Sequence, residues 1–379
     1  MKPIRVLSIF GTRPEAVKMA PVVRSLNADA RIESRVCVTA QHREMLDQVL
    51  ELFTIQPDYD LDLMRPDQTL ANLTAEIFTH IDPVLESVKP DWVLVQGDTT
   101  TVMAASLAAF YRGIKVGHVE AGLRTGDKHQ PFPEEINRRL TSVIADLHFA
   151  PTVLSRNNLQ REGIPDWRIR VTGNTVIDAL DMIVNAQAPA QVMEWLNEWG
   201  IGANDRHLIL VTAHRRENFG QPIRQICTAI KTLAELYRDH VHFVYPVHLN
   251  PHIQKPVHEI LDGQPGVSLI QPVDYLSLVH LMKNAHFVLT DSGGIQEEAA
   301  GLGKPTLVLR EVTERPEGVE AGVLKLVGAD TAAIVREATK LMEDGEAYTA
   351  MSRASNVFGD GKAAARIVDA LVNFTEQSV

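Results

Sequence analysis

The chain has 379 residues, with 37 Lys plus Arg against 48 Asp plus Glu and a formal net charge of −11. At about 150 residues per domain this length predicts two to three domains, and 45% apolar with 22% charged residues fills more than one core, which excludes disorder, low-complexity polymers and disulfide scaffolds. The negative excess repels phosphate backbones and anionic lipid, so nonspecific nucleic-acid and membrane-surface partners are set aside.

The first apolar run, residues 4–10, ends at Gly11 and Arg13 and is too short for the core of a signal peptide. The longest apolar stretch, residues 102–110, covers about half a membrane span. Cys37 and Cys227 lie in apolar segments and form no CxxC pair, as buried thiols of a reducing cytoplasm would. Strands are expected at 4–10, 34–39, 92–96, 115–119, 147–150 and 169–172, and in a second series at 207–212, 241–245, 267–270, 287–290, 305–309 and 323–327. Short β-branched runs alternating with longer helical patterns predict an α/β fold of two Rossmann-like, doubly wound domains with about six parallel strands each. Residues 185–205, with Ala188, Pro189, Gly200 and Gly202, read as a surface helix and loop inside the second domain, and the domain change is expected near 172–174.

In open parallel sheets ligands bind beyond the carboxyl ends of the strands. Those positions here read GTRPEAVKMAP, GDTTT, HVEAGLRT, TAHRREN, PVHLNP and TDSGGIQEEA, richer in Arg, His and carboxylates than turns require. The first loop has no GxGxxG, so no nicotinamide cofactor is expected. It offers instead Arg13, before Pro14, and Lys18 one turn on. Arg215, Arg216 and Arg315 add cations in later loops, a set suited to a diphosphate. Ser292, Gly293 and Gly294 lie between a strand and a helix, where backbone N–H groups attract an anion, or where Ser292 caps the helix. Glu297 and Glu298 on the first turns either accept ribose hydroxyls or complement the helix dipole.

Among the other carboxylates, Asp98 either faces a ligand or caps the helix starting near Thr100. Glu120, after a strand containing Gly117 and His118, is either reactive or part of a structural ion pair. Glu134 and Glu135 open a helix after Pro131 and Pro133, with Arg138 and Arg139 one turn beyond and able to pair with them. His248 and His252 have i, i+4 spacing near Pro251, with His258 following, but no carboxylate or cysteine completes a ligand pattern, so no metal is expected. Neither a nucleophile elbow nor a P-loop is present.

Taken in order, GTRPEAVKMAP, TAQHREMLDQ, GDTTT, GHVEAGLRTGD, PFPEEINRRLT, TGNTVIDAL, TAHRREN, PVHLNP, LTDSGGIQEEA and RPEGVEAG resemble the non-hydrolysing bacterial UDP-N-acetylglucosamine 2-epimerases over nearly the whole chain. The resemblance implies a glycosyltransferase-B-like architecture, two Rossmann-like domains with the active site in the cleft between them. It implies that a last helix, about residues 362–374, crosses back, so that residues 1–172 with 362–379 form one domain and 173–361 the other. It also implies interconversion of UDP-N-acetylglucosamine and UDP-N-acetylmannosamine for surface polysaccharide precursors, a homodimer, and no metal or cofactor.

The family reaction sets three tasks, because the hydrogen on sugar carbon 2 is not next to a carbonyl. UDP leaves from carbon 1 as that proton is lost, giving a bound 2-acetamidoglucal that re-adds UDP after protonation on the opposite face. A base and an acid must address the two faces of carbon 2, anionic groups must stabilise oxocarbenium-like charge, and cations must hold the diphosphate. By resemblance Asp98, Glu120 and Glu134 take the first two tasks. Arg13, Lys18, His214, Arg315 and the Ser292, Gly293 and Gly294 loop look like UDP-binding groups, with His214 in the catalytic set as well, Glu298 on the ribose, and Val273 and Leu278 beside the uracil. Gln41, His42, Arg215 and His248 match positions where many bacterial members bind a second UDP-N-acetylglucosamine as an activator. Glu44 and Asp67 stand where relatives can carry Gln and Arg, and EEAAGLGKP where EEAPSLGKP is common. A hydrolysing epimerase, a glycosyltransferase and a UDP-sugar sensor are competing readings, and HRREN with the full carboxylate set favours the non-hydrolysing one.

Overall fold

The computed structural model describes residues 2–39, 43–65, 68–202, 206–353 and 356–375. The chain divides into two compact units, Met1–Met182 with Gly359–Val379, and Ile183–Phe358. In the first unit the strands are β1 (Ile4–Phe10), β2 (Ile32–Val38), β3 (Tyr59–Asp60), β4 (Trp92–Gln96), β5 (Lys115–Val119), β6 (Leu147–Ala150) and β7 (Ile169–Val171). Its helices are α1 (Arg13–Ala28), α2 (Arg43–Leu52), α3 (Leu70–Val88), α4 (Thr100–Tyr111), α5 (Glu134–Ile144), α6 (Val153–Arg161) and α7 (Thr175–Ile183). The sheet is parallel in the order β3-β2-β1-β4-β5-β6-β7. Leu7, Ile9, Val93 and Val95 bury one face against Ile77, Ile81, Val102 and Ala105 of α3 and α4, and the alternate residues Val6, Phe10 and Leu94 are buried on the other face, the two-sided covering that an all-parallel sheet requires.

The second unit carries α8 (Ala190–Glu198), α9 (Gln221–Leu236), α10 (Pro251–Leu261), α11 (Tyr275–Asn284), α12 (Gly293–Gly301), α13 (Pro316–Glu320), α14 (Thr331–Glu343) and α15 (Gly345–Ser352). Its strands β8 (His207–Thr212), β9 (Val241–Pro246), β10 (Val267–Ile270), β11 (Ala285–Thr290), β12 (Thr306–Val308) and β13 (Leu324–Leu326) form a parallel sheet in the order β10-β9-β8-β11-β12-β13. Ile209, Val211, Phe243 and Tyr245 line one core, and Leu208, Leu210, Val244 and Val288 line the other with Trp199. No described helix is long and apolar enough to cross a membrane. Cys37 on β2 and Cys227 on α9 are free and buried, and burial pushes both thiols up to about 12.

The structure corrects the expected boundaries. The chain leaves the first unit after residue 182 rather than 172 and returns at 359 rather than 362. The reason is α7, which is tied to the last helix, α16 (Ala363–Val372). Lys362, at the cap position of α16, makes no side-chain cap bond. Asp178 of α7 takes over, accepting the N–H groups of Ala363 at 3.2 Å and Ala364 at 2.9 Å. Arg366 donates to the Thr172 carbonyl at 2.8 Å, and Phe374 packs edge-on to Trp92. Strand β3 was not expected, since two residues carry no periodicity.

Candidate active site

Strand order reverses between β1 and β4 in the first sheet and between β8 and β11 in the second, and at such reversals the loops beyond the strands diverge and leave a crevice. At the first reversal, Thr12 and Glu15 form a capping box that starts α1. Glu15 Oε2 accepts the N–H groups of Gly11 at 3.0 Å and Thr12 at 2.7 Å, and its Oε1 accepts the Thr99 hydroxyl at 2.7 Å. Burial pushes the Glu15 carboxyl up, against the pull of these hydrogen bonds. Arg13 stands half-exposed in the first turn of α1 with no carboxylate partner among the described residues.

Lys18, one turn on, is buried and donates to Glu120. Glu120 follows β5 with φ 64°, a left-handed conformation that costs a non-glycine residue about 1–3 kcal/mol and recurs at functional sites. Its carboxylate also accepts Gln96 Nε2 and, at 3.3 Å, Asn174 Nδ2. Gly117 in β5 leaves room for the neighbouring strand's side chain, because a Cβ there would lie 2.5 Å from Leu94 Cδ2.

Asp98 is not the cap of α4. Thr99 caps it, accepting the Val102 N–H at 3.3 Å, which leaves Asp98 to pair with Arg138. Asp98 Oδ2 accepts Arg138 Nε at 2.9 Å and lies 2.7 Å from Nη2, while Asn137 Nδ2 donates to the Asp98 carbonyl at 2.9 Å. The two arginines of α5 do pair one turn back, with Glu135, which is fully buried and also accepts the N–H groups of Thr125 and Gly126. Glu134 is half-buried in the first turn. Helix α5 is thus inside out. Glu135, Asn137, Arg138, Thr141 and Ser142 are buried, whereas Ile136, Leu140 and Val143 are 38%, 47% and 80% exposed.

At the second reversal, Asp291 follows β11 with no exposure and gathers the loop after β8. Its Oδ2 accepts the N–H groups of His214 and Arg215, both at 2.8 Å, and Asn218 Nδ2 at 2.9 Å. The His214 ring stacks on His248, centroids 5.5 Å apart, while His252 stacks on Phe219 at 5.1 Å. The i, i+4 histidine pair is therefore split between two ring partners. Among the described residues no three His, Cys, Asp or Glu are grouped to hold a metal ion.

Ser292 occupies the cap position of α12 but makes no side-chain cap bond. A Cβ on Gly293 would lie 2.7 Å from Arg315 Nη1, so the guanidinium rests against the amino end of α12, beside its outward N–H groups. Arg315 is buried and donates through Nε to Glu297 at 2.9 Å, with Glu314 3.5 Å from Nη1. Burial acts to raise the Glu314 carboxyl, but Arg315 and Arg310 together hold it at about 2. Glu298 is buried and accepts the Tyr275 hydroxyl at 3.1 Å. Val273 and Leu278 pack against the core that contains Leu281 and Ile295. Gln41, His42 and Asp67 lie outside the described residues.

Sequence reasoning passed over Gln96, Asn174 and Asp291, which shape these loops. Asp291 had a signal, the carboxylate just after a strand in TDSGG, as did Thr12 and Glu15 in the TRPE spacing of a capping box.

A family model described as UDP-N-acetylglucosamine 2-epimerase matches residues 24–372. This chain belongs to the UDP-N-acetylglucosamine 2-epimerase family. A UDP-N-acetylglucosamine 2-epimerase of Yersinia pestis is 56% identical over 376 residues, spanning 98% of this chain and 99% of the relative. The crystal structure of UDP-GlcNAc 2-epimerase from Neisseria meningitidis bound to UDP-GlcNAc superposes with a TM-score of 0.92 at 51% identity, covering 98% of this chain and 100% of that one. The glycosyltransferase SnogD from Streptomyces nogalater shares the fold alone, with a TM-score of 0.61 at 16% identity over 97% of this chain and 99% of that one. The architecture of this epimerase-family chain is accordingly glycosyltransferase-B-like. The matched span takes in both carboxylate loops and the whole second unit, and the two full-length relatives extend the likeness over Arg13 and Lys18.

Proposed function

We propose that the chain interconverts UDP-N-acetylglucosamine and UDP-N-acetylmannosamine by elimination and re-addition of UDP. The observation that carries this reading is the pair of strand-end carboxylates in the first unit, Asp98 and Glu120, each held in one orientation by its own cation, Arg138 and Lys18. A carboxylate fixed at a strand end suits proton transfer at carbon 2, and with Glu134 the set supplies a base, an acid and a stabiliser for positive charge at carbon 1. In the forward step the C1–O bond breaks with its electron pair going to UDP, the carbon-2 proton passes to a carboxylate, and a C1–C2 double bond forms. Return of a proton to the opposite face and re-addition of UDP complete the exchange. Arg13, His214, Arg315 and the N–H groups of Gly293 and Gly294 hold the diphosphate in this scheme, Glu298 takes the ribose, and Lys18 acts through Glu120.

Turnover in deuterated water tests the reading. One deuterium at carbon 2 with UDP still attached is expected, whereas binding without exchange, or release of free N-acetylmannosamine, would overturn it. The exposed apolar stripe of α5 supports a homodimer built on that helix. Arg215 and His248, stacked beside or joined to the His214 loop, support an activator site for a second nucleotide sugar. A cytoplasmic location and supply of mannosaminyl units for surface polysaccharide complete the reading, in keeping with the two free thiols.

A further inference from the structure

We infer that Asp291 is a positioning residue for His214, fixing which ring nitrogen carries the permanent proton. This rests on the reading that His214 works on the departing diphosphate. Asp291 is fully buried, and its two oxygens are used unequally. Oδ2 is saturated by three donors, the N–H groups of His214 and Arg215 and the amide of Asn218. Oδ1 has no hydrogen-bond partner and is sealed from solvent, yet His214 Nδ1 stands 3.6 Å from it. A buried carboxylate oxygen left without a donor is costly, and Nδ1–H is the donor at hand.

A small rotation of the imidazole closes that bond. The His214 main chain is already pinned to the other oxygen of the same carboxylate, so the side chain and backbone are held by one group. The His248 ring lies nearly parallel to it, at 14°, and limits rotation about the ring's other axis. With Nδ1–H committed to Asp291, any second proton resides on Nε2, which faces away from the carboxylate. There it donates to an anionic leaving group, and the imidazolium that forms is matched by a buried negative charge. One carboxylate thus sets loop position, ring orientation and tautomer.

Asp291→Asn is the test, because its amide oxygen still accepts the three donors while its NH2 group faces Nδ1 and repels Nδ1–H. Turnover is expected to fall by at least about 10²-fold, as when a histidine loses its orienting partner, and by up to about 10⁴-fold, the loss for a histidine held in the wrong tautomer, with the melting temperature retained. Two-bond proton–nitrogen correlation spectra of the full chain labelled with 15N-histidine read the tautomer directly, with the His214 signals assigned by their loss in His214→Asn. Nδ1–H in the wild type and Nε2–H in Asp291→Asn are expected. Nε2–H in the wild type, or wild-type turnover in Asp291→Asn, would overturn the inference, and the wild-type spectrum decides even if that variant does not fold. An inactive His214→Asn beside an active Asp291→Asn would remove Asp291 alone, whereas an active His214→Asn would remove the reading of His214 itself and this inference with it.

Discussion

Gly293→Ala should weaken UDP binding by displacing Arg315, without touching the ligand. The new Cβ would stand 2.7 Å from Nη1, 2.9 Å from Cζ and 3.3 Å from Nη2 of Arg315, distances at which something must move. The helix backbone of α12 tolerates alanine, so the guanidinium yields, and in doing so strains its bond to Glu297. A hydrogen bond between a guanidinium and a phosphate contributes about 1.5–3 kcal/mol. At about 1.4 kcal/mol per factor of ten, its loss raises the dissociation constant for UDP by about 10- to 150-fold. Calorimetric titration with UDP at fixed salt measures it, and a double-mutant cycle with Arg315→Ala isolates the cause. In the Arg315→Ala background Gly293→Ala should cost almost nothing more. An unchanged UDP affinity in the single variant, or the full penalty persisting without Arg315, would refute the reasoning, the second result meaning that the methyl itself collides with the ligand.

Asp98→Asn and Glu134→Gln should each lower turnover by about 10²- to 10⁴-fold while leaving calorimetric UDP affinity unchanged; a coupled assay that shows full turnover would reassign either residue to structure. Burial holds His118 at about 4 and His148 at about 3, against about 6.5 in the unfolded chain. Both stay neutral in the fold while the unfolded chain takes up protons, so stability is intact above pH 6.5. It falls below that at about 1.4 kcal/mol per pH unit for each histidine toward pH 4. Urea unfolding from pH 7.5 to 5 should show this slope, and His148→Leu should flatten it; an identical slope in that variant would count against the account. Leu140→Glu should yield a monomer by light scattering with unchanged circular dichroism, and an undiminished mass would take the subunit contact away from α5.

Most of the fold was legible because parallel strands buried on both faces read as short β-branched runs. β1, β4, β5, β6, β8 and β10 fall on the expected residues, and the remaining expected strands differ by one or two residues at their ends. The strand-end rule also pointed to Asp98, Glu120, His214 and the Ser292 loop, which do lie just beyond β4, β5, β8 and β11. What it could not supply was partnership across the chain. Glu120 is fixed by Lys18 of α1, Gln96 of β4 and Asn174 after β7, residues that only the sheet order brings together. The competition between Asp98 and Thr99 for the cap of α4 was decided by Arg138, 40 residues away. Helix α5 has a strong polar and apolar division, but the usual rule turns its apolar side inward, and here the buried partners are loop N–H groups and Asp98. The boundary slipped because Asp178 caps a helix 185 residues further on, a contact without a local signature.

The two cysteines have a practical corollary. A thiol held at about 12 is on the order of 10⁻⁵ thiolate near pH 7.5, and it is the thiolate that attacks maleimides and disulfides. Cys37 and Cys227 are therefore silent toward labelling reagents as long as the protein stays folded. A cysteine introduced at exposed Ser87 on α3, and another at exposed Lys231 on α9, would take up a fluorophore or a spin label without first stripping the native thiols. The wild-type sequence thus serves unaltered as the background for a spectroscopic ruler between its two units, read before and after UDP is added.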